Sequence, residues 1–340
     1  MNGYGVALGI GGVMHDYAAA VWLEDRLLSL VSSSEVTGQP HGVDTEAMRL
    51  LFETLPVERA IGRWLLSVRR SNVIGDTAQA AIRAAGISPE AVTSIGHTCP
   101  ELLVPPALPG RRYPINQLDS HAAGVTEASP GDLVLVLDGT GDRGPDGAHE
   151  VSAAYTLGDL PRRRWTVHEP ASLGVLLDAI GLVAGAAALD RETTGSLTAD
   201  PARSRGLYAS VDDDGYELDG LTWRQMVRPK ERQAYLAARG YGQARWDAFA
   251  RTAFTSAVRV GRDLIERNRG PGRSAWLTGD AFLHSAFAQA LSGPGIRPTQ
   301  WPGDEGTAIG AARLAQHLRN ANKQEYFRLP GVLHGDHDQG

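Results

Sequence analysis

Asp138 and Asp142 flank Gly139, Thr140 and Gly141 at the end of an apolar run, Leu133 to Leu137. Gly279 and Asp280 close a second such run, and Gly303 stands before Asp304 and Glu305. Glycine lets backbone N–H groups come close to a phosphate, and a carboxylate beside it can hold a divalent metal or orient a water. A helix starting near Gly306 would add its N-terminal N–H groups. One such turn alone reads as an ordinary turn; three in one chain favour a nucleotide cleft between lobes. Gln117 and His121 are four apart, on one face if the segment is helical. Two histidines there would read as metal ligands; Gln with His reads equally as a satisfied histidine. His15 and Asp16 follow the first glycine turn, where they could do acid–base work or form a hydrogen-bonded turn. Gly-x-Ser-x-Gly and Walker A patterns are absent, and "GIGGVM" lacks the helix a dinucleotide fingerprint needs.

These residues need a scaffold, and the chain writes one twice. Tyr4 to Leu30 reads strand, glycine turn, strand, short turn, strand. Leu133 to Leu160, followed by "RRRWTVHEP", reads the same way. Helices fill the intervals. Asp44 to Ser67 carries a helical stripe broken at Pro56, and Asp76 to Ala85 stops at Gly86. Leu173 to Ala188, Arg245 to Asn268 and "GTAIGAARLAQHL" complete the set. "AVTSIGHT" and "SAWLTGD" read as buried strands. A duplicated meander with helices after each copy predicts an α/β fold of two lobes, residues 1–128 and 129–318. Residues 201–239 read as an insertion, with Tyr208, Trp223 and Tyr235 as candidates for an acceptor pocket or simply for packing. Residues 319–340 read as a tail.

Composition bounds the function. The 340 residues are 42% hydrophobic and 21% charged, with net charge −6, the profile of a globular protein. Nothing suggests a nucleic-acid or membrane partner. The single cysteine, Cys99, offers neither an internal disulfide nor a zinc site. A basic leader and a bilayer-spanning run are both missing, so a cytoplasmic location is expected. Lys230 and Lys323 are the only lysines, which limits any lysine-based phosphate clamp.

Five segments together resemble the O-carbamoyltransferases of nodulation-factor, cephamycin and tobramycin type. They are "GIGGVMHDYAAAVWLEDRLL", "SSSEVTGQPH", "LVLVLDGTGD", "EPASLGVLLDAIGLVAG" and "WPGDEGTAIGAA", in that order from about Gly5 to Leu318. The N-terminal domain of that family is similar to the enzymes that make threonylcarbamoyladenosine. Both belong to the actin, sugar-kinase and heat-shock-chaperone ATPase superfamily. The resemblance implies the duplicated actin-like (ASKHA) fold with an interlobe cleft. It implies ATP or carbamoyl adenylate facing Asp138, Gly139, Thr140, Gly141, Gly279, Asp280 and Gly303. It also implies a divalent metal (Fe, Mg or Mn) near His121, Asp304 and Gln117, and transfer of a carbamoyl group to a small-molecule acceptor. His15, Asp16 and Asp138 fall at positions expected to be catalytic. Relatives in antibiotic pathways suggest specialised-metabolite biosynthesis.

The departures are specific. The family's adenylate-forming domain has no counterpart after the last helix, so a separate protein is expected to supply the activated carbamoyl group. The family's His-x-x-x-His pair reads Gln117 and His121, and its Gly-Gly-x-x-x-Asn turn reads "TGDAFLH". Its Gly-Glu-x-Lys-x-Met-Gly segment reads "LDRETTGSL", where the lysine falls on Glu192 when Gly195 is aligned. Added acid at Asp280 and Glu192 should weaken polyanion binding. Three functions fit: a stand-alone carbamoyltransferase, a non-catalytic partner subunit, or another transfer or ligase reaction in the same cleft.

Overall fold

The computed structural model describes residues 5–12, 16–144, 147–184, 210–222, 225–226, 228–240 and 246–321. β1 (Val6–Gly11), β2 (Ala18–Leu23) and β3 (Arg26–Ser32) form an antiparallel meander. β4 (Val92–His97) and β5 (Arg111–Pro114) extend it in parallel on the other side of β1, giving the order β3-β2-β1-β4-β5. The second half repeats the plan. β6 (Leu133–Leu137), β7 (Glu150–Thr156) and β8 (Arg162–His168) form the meander. After a hairpin of β9 (Ser210–Asp212) and β10 (Gly215–Glu217), β11 (Ala275–Thr278) and β12 (Ile296–Pro298) add in parallel. The second order, β8-β7-β6-β11-β12, is the first one repeated.

The helices follow the sequence periodicity. α1 (Ser33–Thr37) leads to α2 (Thr45–Thr54) and α3 (Val57–Ser71), which part at Pro56 as expected of an imide. α4 (Val73–Ala84) starts three residues before the predicted Asp76, because Asn72 turns the corner in a left-handed conformation at φ 56°. α5 (Gln117–Gly124), α6 (Leu173–Ala184), α7 (Pro229–Ala238), α8 (Trp246–Asn268), α9 (Ser285–Leu291) and α10 (Asp304–Asn320) complete the order. The insertion around 201–239 carries structure where the sequence reads as irregular: the β9–β10 hairpin and α7. Tyr235 is buried there, meets Phe249 edge-on and donates to the Asp219 carbonyl at 2.8 Å. It packs the insertion. Tyr208, Trp223 and Glu192 lie outside the described residues.

Large and small side chains alternate on β1 and decide what covers each face. Val6, Leu8 and Ile10 join Ile74, Ala78 and Ile95 in one core. Ala7 faces the other way, with Ala18, Ala20 and Trp22 of β2, against Ala308, Ile309 and Ala312 of α10. The last helix of the second half therefore packs on the first sheet. It lies close because glycines allow it: a Cβ on Gly9 would stand 1.8 Å from the Ala308 carbonyl oxygen, and one on Gly96 2.0 Å from that of Ala311. Gly310 of α10 meets α5 equally closely, 1.8 Å from the Ser120 carbonyl oxygen. Gly310→Ala should therefore lower stability by about 1–3 kcal/mol or more despite alanine's better helix propensity. Gly62→Ala, in α3 with open space around its Cβ, should be neutral or stabilising by up to about 1 kcal/mol. Urea unfolding of the two variants checks the opposite signs.

Candidate functional site between the two sheets

The site forms at the carboxyl ends of the parallel strands, where open α/β sheets place their ligands. β6 and β11 are parallel neighbours in the register Val136 to Thr278. Each strand runs two residues further to an aspartate, so Asp138 and Asp280 come to adjacent strand ends, one strand spacing apart. Gly279 makes this possible at φ 102°; a Cβ there would sit 2.3 Å from the Leu137 carbonyl oxygen. Asp280 Oδ2 lies 3.9 Å from where a Cβ on Gly139 would stand.

α5 delivers the third group. Its N-cap, Asn116, accepts from the Asp119 N–H at 3.2 Å, and all eight helical residues are buried. Leu118 and Ala122 pack on Val134, Val136, Ala153 and Tyr155 of the second sheet, while Gly124 touches the Gly306 backbone of α10. The helix thus bridges the two halves. It points His121, fully buried, at Asp138, with Nε2 3.5 Å from Asp138 Oδ2. His121 Nδ1 lies 3.5 Å from Thr278 Oγ1. Ligand atoms of His121, Asp138 and Asp280 all fall within 4.8 Å of one another.

The local charge is unbalanced. Burial alone would raise the Asp138 pKa, but the His121 imidazole and the Gly139 N–H, at 2.8 Å from Oδ1, hold it below the usual carboxylate range. Asp280 is pushed well above that range by burial, then by the Asp138, Asp304 and Asp178 charges. Asp304 is raised by burial, then by Asp138 and Asp16. Asp138 carries the negative charge while its neighbours keep protons, as expected of crowded buried carboxylates. One imidazole nitrogen and two carboxylates form a donor set suited to a divalent first-row ion or Mg²⁺. His121 Nε2 and Gln117 Oε1 are buried without a hydrogen-bond partner. The residues present fit a cation.

A second set of buried charges fixes this geometry. Arg163 of β8 donates to Asp119 Oδ1 at 2.6 Å, to Glu150 Oε1 at 2.8 Å and to Asn116 Oδ1 at 2.9 Å. Tyr155 donates to Asp119 at 2.7 Å, and Asn116 Nδ2 to Glu150 Oε2 at 2.8 Å. Asp142 Oδ2 accepts the Gln117 N–H at 2.7 Å, which ties the 138–142 turn to the start of α5. Removing one partner from such a buried network typically costs about 3–5 kcal/mol.

Of the residues singled out from sequence, Asp138, Asp280 and His121 come together. Asp304, at the head of α10, lies outside that group of three and is coupled to it only through charge. Gln117 stands beside it as a donor, Nε2 to Asp138 Oδ2 at 3.0 Å. Gly139 and Gly141 line the turn, with Thr140 Oγ1 buried and unpartnered. Gly303 leads into α10, and the Gly279 N–H donates to the Pro302 carbonyl at 2.8 Å, joining two of the turns. Asp16 stands at the end of the first glycine turn. Its carboxylate meets His41 Nδ1 at 2.9 Å and its charge reaches Asp304. His15 lies outside the described residues. Asn116, Glu150 and Arg163 were not legible as site residues, because a strand reading of "RRRWTVHEP" does not tell which arginine turns inward.

No protein-family model matches the chain, and no curated protein matches it in sequence. Solved structures do. Component A of (R)-2-hydroxyglutaryl-CoA dehydratase from Acidaminococcus fermentans is similar at 14% identity and TM-score 0.51, over 93% of this chain and 99% of that one. The activator of 2-hydroxyisocaproyl-CoA dehydratase from Clostridium difficile, solved with bound ADPNP, is similar at 12% identity and TM-score 0.50, over 93% and 96%. The fold is of the duplicated actin-like type, an α/β protein built on two five-stranded mixed sheets. Among the described residues, no helix is long and apolar enough to cross a membrane.

The network yields a pH prediction. Burial pushes the half-buried Asp142 up to about 6, with Glu150 and Asp119 adding to the rise against the Gln117 N–H. The folded chain then holds a proton that the unfolded chain releases near pH 4. Its contribution therefore makes stability fall as pH rises from about 4 through 6. Asp142→Asn should flatten that decline, as read by urea midpoints at pH 4.5 and 7.

Proposed function

We propose that the chain binds an adenine nucleotide together with a divalent cation between its two sheets. There it transfers an activated carbamoyl or related acyl group to a small-molecule hydroxyl. The observation that carries the reading is the gathering of Asp138 and Asp280 with His121 at adjacent strand ends, with Asp304 within electrostatic reach. Support for the nucleotide comes from the shared fold, since the Clostridium difficile activator holds ADPNP. Support for the carbamoyl group comes from the five ordered segments of sequence, "WPGDEGTAIGAA" above all.

The residues divide the work. His121, Asp138 and Asp280 would hold the cation, and Gln117 and the Gly139 N–H orient Asp138 for it. When bound, the cation would polarise the adenylate phosphate and stabilise the charge that develops on it. The phosphates would lie over the open turn at Gly139, where a Cβ would meet nothing nearer than 3.9 Å, while the N–H groups of Gly139, Gly141 and Gly279 donate within the chain to Asp138 Oδ1 and to the Glu150 and Pro302 carbonyls. A carbamoyl-adenylate-forming activity would supply the activated group, in a pathway to a specialised metabolite. The second reading, a non-catalytic partner subunit, draws on Gln117 standing as a donor to Asp138.

Calorimetric titration separates these. ATP and ADPNP should bind in the presence of Mn²⁺ or Mg²⁺, and Asp138→Asn should abolish binding while Asp16→Asn spares it. Transfer to an acceptor should then follow when a carbamoyl-adenylate-forming protein is added. Failure of both nucleotides to bind with either cation would overturn the nucleotide reading. Binding without transfer across a panel of hydroxyl acceptors would favour the partner-subunit reading.

A further inference from the structure

Hydrogen bonds between the two halves of the chain fall in two places. Most run through α5, Glu127 or α10: Asn116 to Glu150, Glu127 to the Gln300 N–H, Gln316 to the Gly5 carbonyl. Among the described residues one bond stands apart. Arg228 Nη2 donates to the Leu55 carbonyl at 2.9 Å, across 173 positions of sequence. Both ends of that bond are held in place. Leu55 is the C-cap of α2, just before Pro56 leads the chain into α3. Carbonyls at a helix end lack partners within the helix, and the helix dipole there favours a cation. On the other side, the insertion belongs to the second half. Leu218, Leu221, Met226 and Leu236 join its core, and a Cβ on Gly220 would stand 2.0 Å from the Pro170 carbonyl oxygen. Arg228 itself precedes Pro229, the first residue of α7, which restricts its backbone to extended conformations. Its side chain is 25% exposed, with Nη1 3.4 Å from Glu231 Oε1 and Nε buried without a hydrogen-bond partner. Burying a donor without a partner is unfavourable, so solvation alone does not place this guanidinium against α2.

We infer that Arg228 is a clasp: the insertion of the second half holds the α2–α3 corner of the first half through the Arg228–Leu55 hydrogen bond, and the halves part only when that bond breaks. The two attachments differ in kind. Around α5 and α10 several backbones meet at glycine contacts, which makes that side a hinge. At Arg228 one guanidinium meets one carbonyl, which makes that side a catch. Packed halves with two arrangements move between them rather than deform continuously. The clasp is closed with nothing bound, so it biases the chain toward the closed arrangement before any ligand arrives. A ligand entering between the sheets then competes with the clasp, and one that fits the closed arrangement is retained by it. The inference concerns the motion of the halves and rests on neither the cation nor the transfer reading.

The test measures the separation of the halves with no ligand added. Nitroxide labels go on Leu50→Cys of α2 and Ala237→Cys of α7, both exposed positions, in a Cys99→Ala background that removes the one native thiol. Double electron–electron resonance should then give a single narrow distance distribution when Arg228 is present. Arg228→Met keeps the aliphatic stem and loses the donors. It should broaden the distribution and lengthen its mean by more than about 2 Å. Arg228→Lys, which retains one donor group, should restore part or all of the closed distribution. Arg49→Ala removes an equal charge from α2, where Arg49 pairs with Glu46 and Glu53, and should change nothing. Hydrogen exchange of the α7 amides should match in all four proteins, which separates opening of the halves from loss of the insertion's own fold. The clasp is overturned if Arg228→Met keeps the narrow distribution, or if Arg49→Ala shifts it as far. It is equally overturned if the distance grows only together with faster exchange in α7, because the label would then report a melted helix. Nucleotide binding does not enter: a clasp that opens in Arg228→Met stands even where ADPNP fails to bind.

Discussion

The structure depends on how closely α10 lies against β1, β4 and α5. Three backbones meet there with glycine at each contact: Gly9 and Gly96 from the sheet, Gly124 from α5, Gly306 and Gly310 from α10. Interiors are close-packed and tolerate little added volume. The contact therefore fixes the last helix of the second half onto the first sheet and holds α5 between them. Since α5 carries His121 and α10 carries Asp304, the same contact sets where both functional side chains stand.

The second constraint is the parallel register of β6 and β11. It brings Asp138 and Asp280 to adjacent strand ends, where burial and the Asp138 charge hold a proton on Asp280. Nothing in folding favours that arrangement: a buried charge destabilises unless it is paired. The chain offsets it locally, through the Gly139 N–H, the Gln117 amide and the His121 ring around Asp138. Beneath lies the Arg163 network, whose hydrogen bonds keep the start of α5 and the 138–142 turn in place. Stability spent at one point to hold crowded acids is what a binding site requires.

Much of the fold was legible. Glycine turns after apolar runs marked both meanders, and the repeat marked the duplication; Pro56 and the helical stripes placed α2, α3 and α8. β5 escaped because "RRYP" is a charged edge strand without alternation, and β12 because three residues ending in proline carry no pattern. The insertion escaped because a hairpin built on "SVDDDGYE" has polar tips on both faces. The turn aspartates could be named from sequence, but not their partners. That Asp280 neighbours Asp138 follows from strand register, and that Asp16 turns to His41 follows from two left-handed residues, φ 54° and 60°, meeting through backbone and side chain. Neither register nor handedness is written in residue spacing alone.

The account stands or falls on where a cation and a nucleotide sit. Anomalous diffraction at the manganese edge, from crystals grown with Mn²⁺ and ADPNP, measures this directly. The account predicts one strong peak coordinated by His121, Asp138 and Asp280, with the phosphates of the nucleotide over the open turn at Gly139. A peak centred on Asp304 away from Asp280, or nucleotide bound elsewhere on the chain, would contradict it.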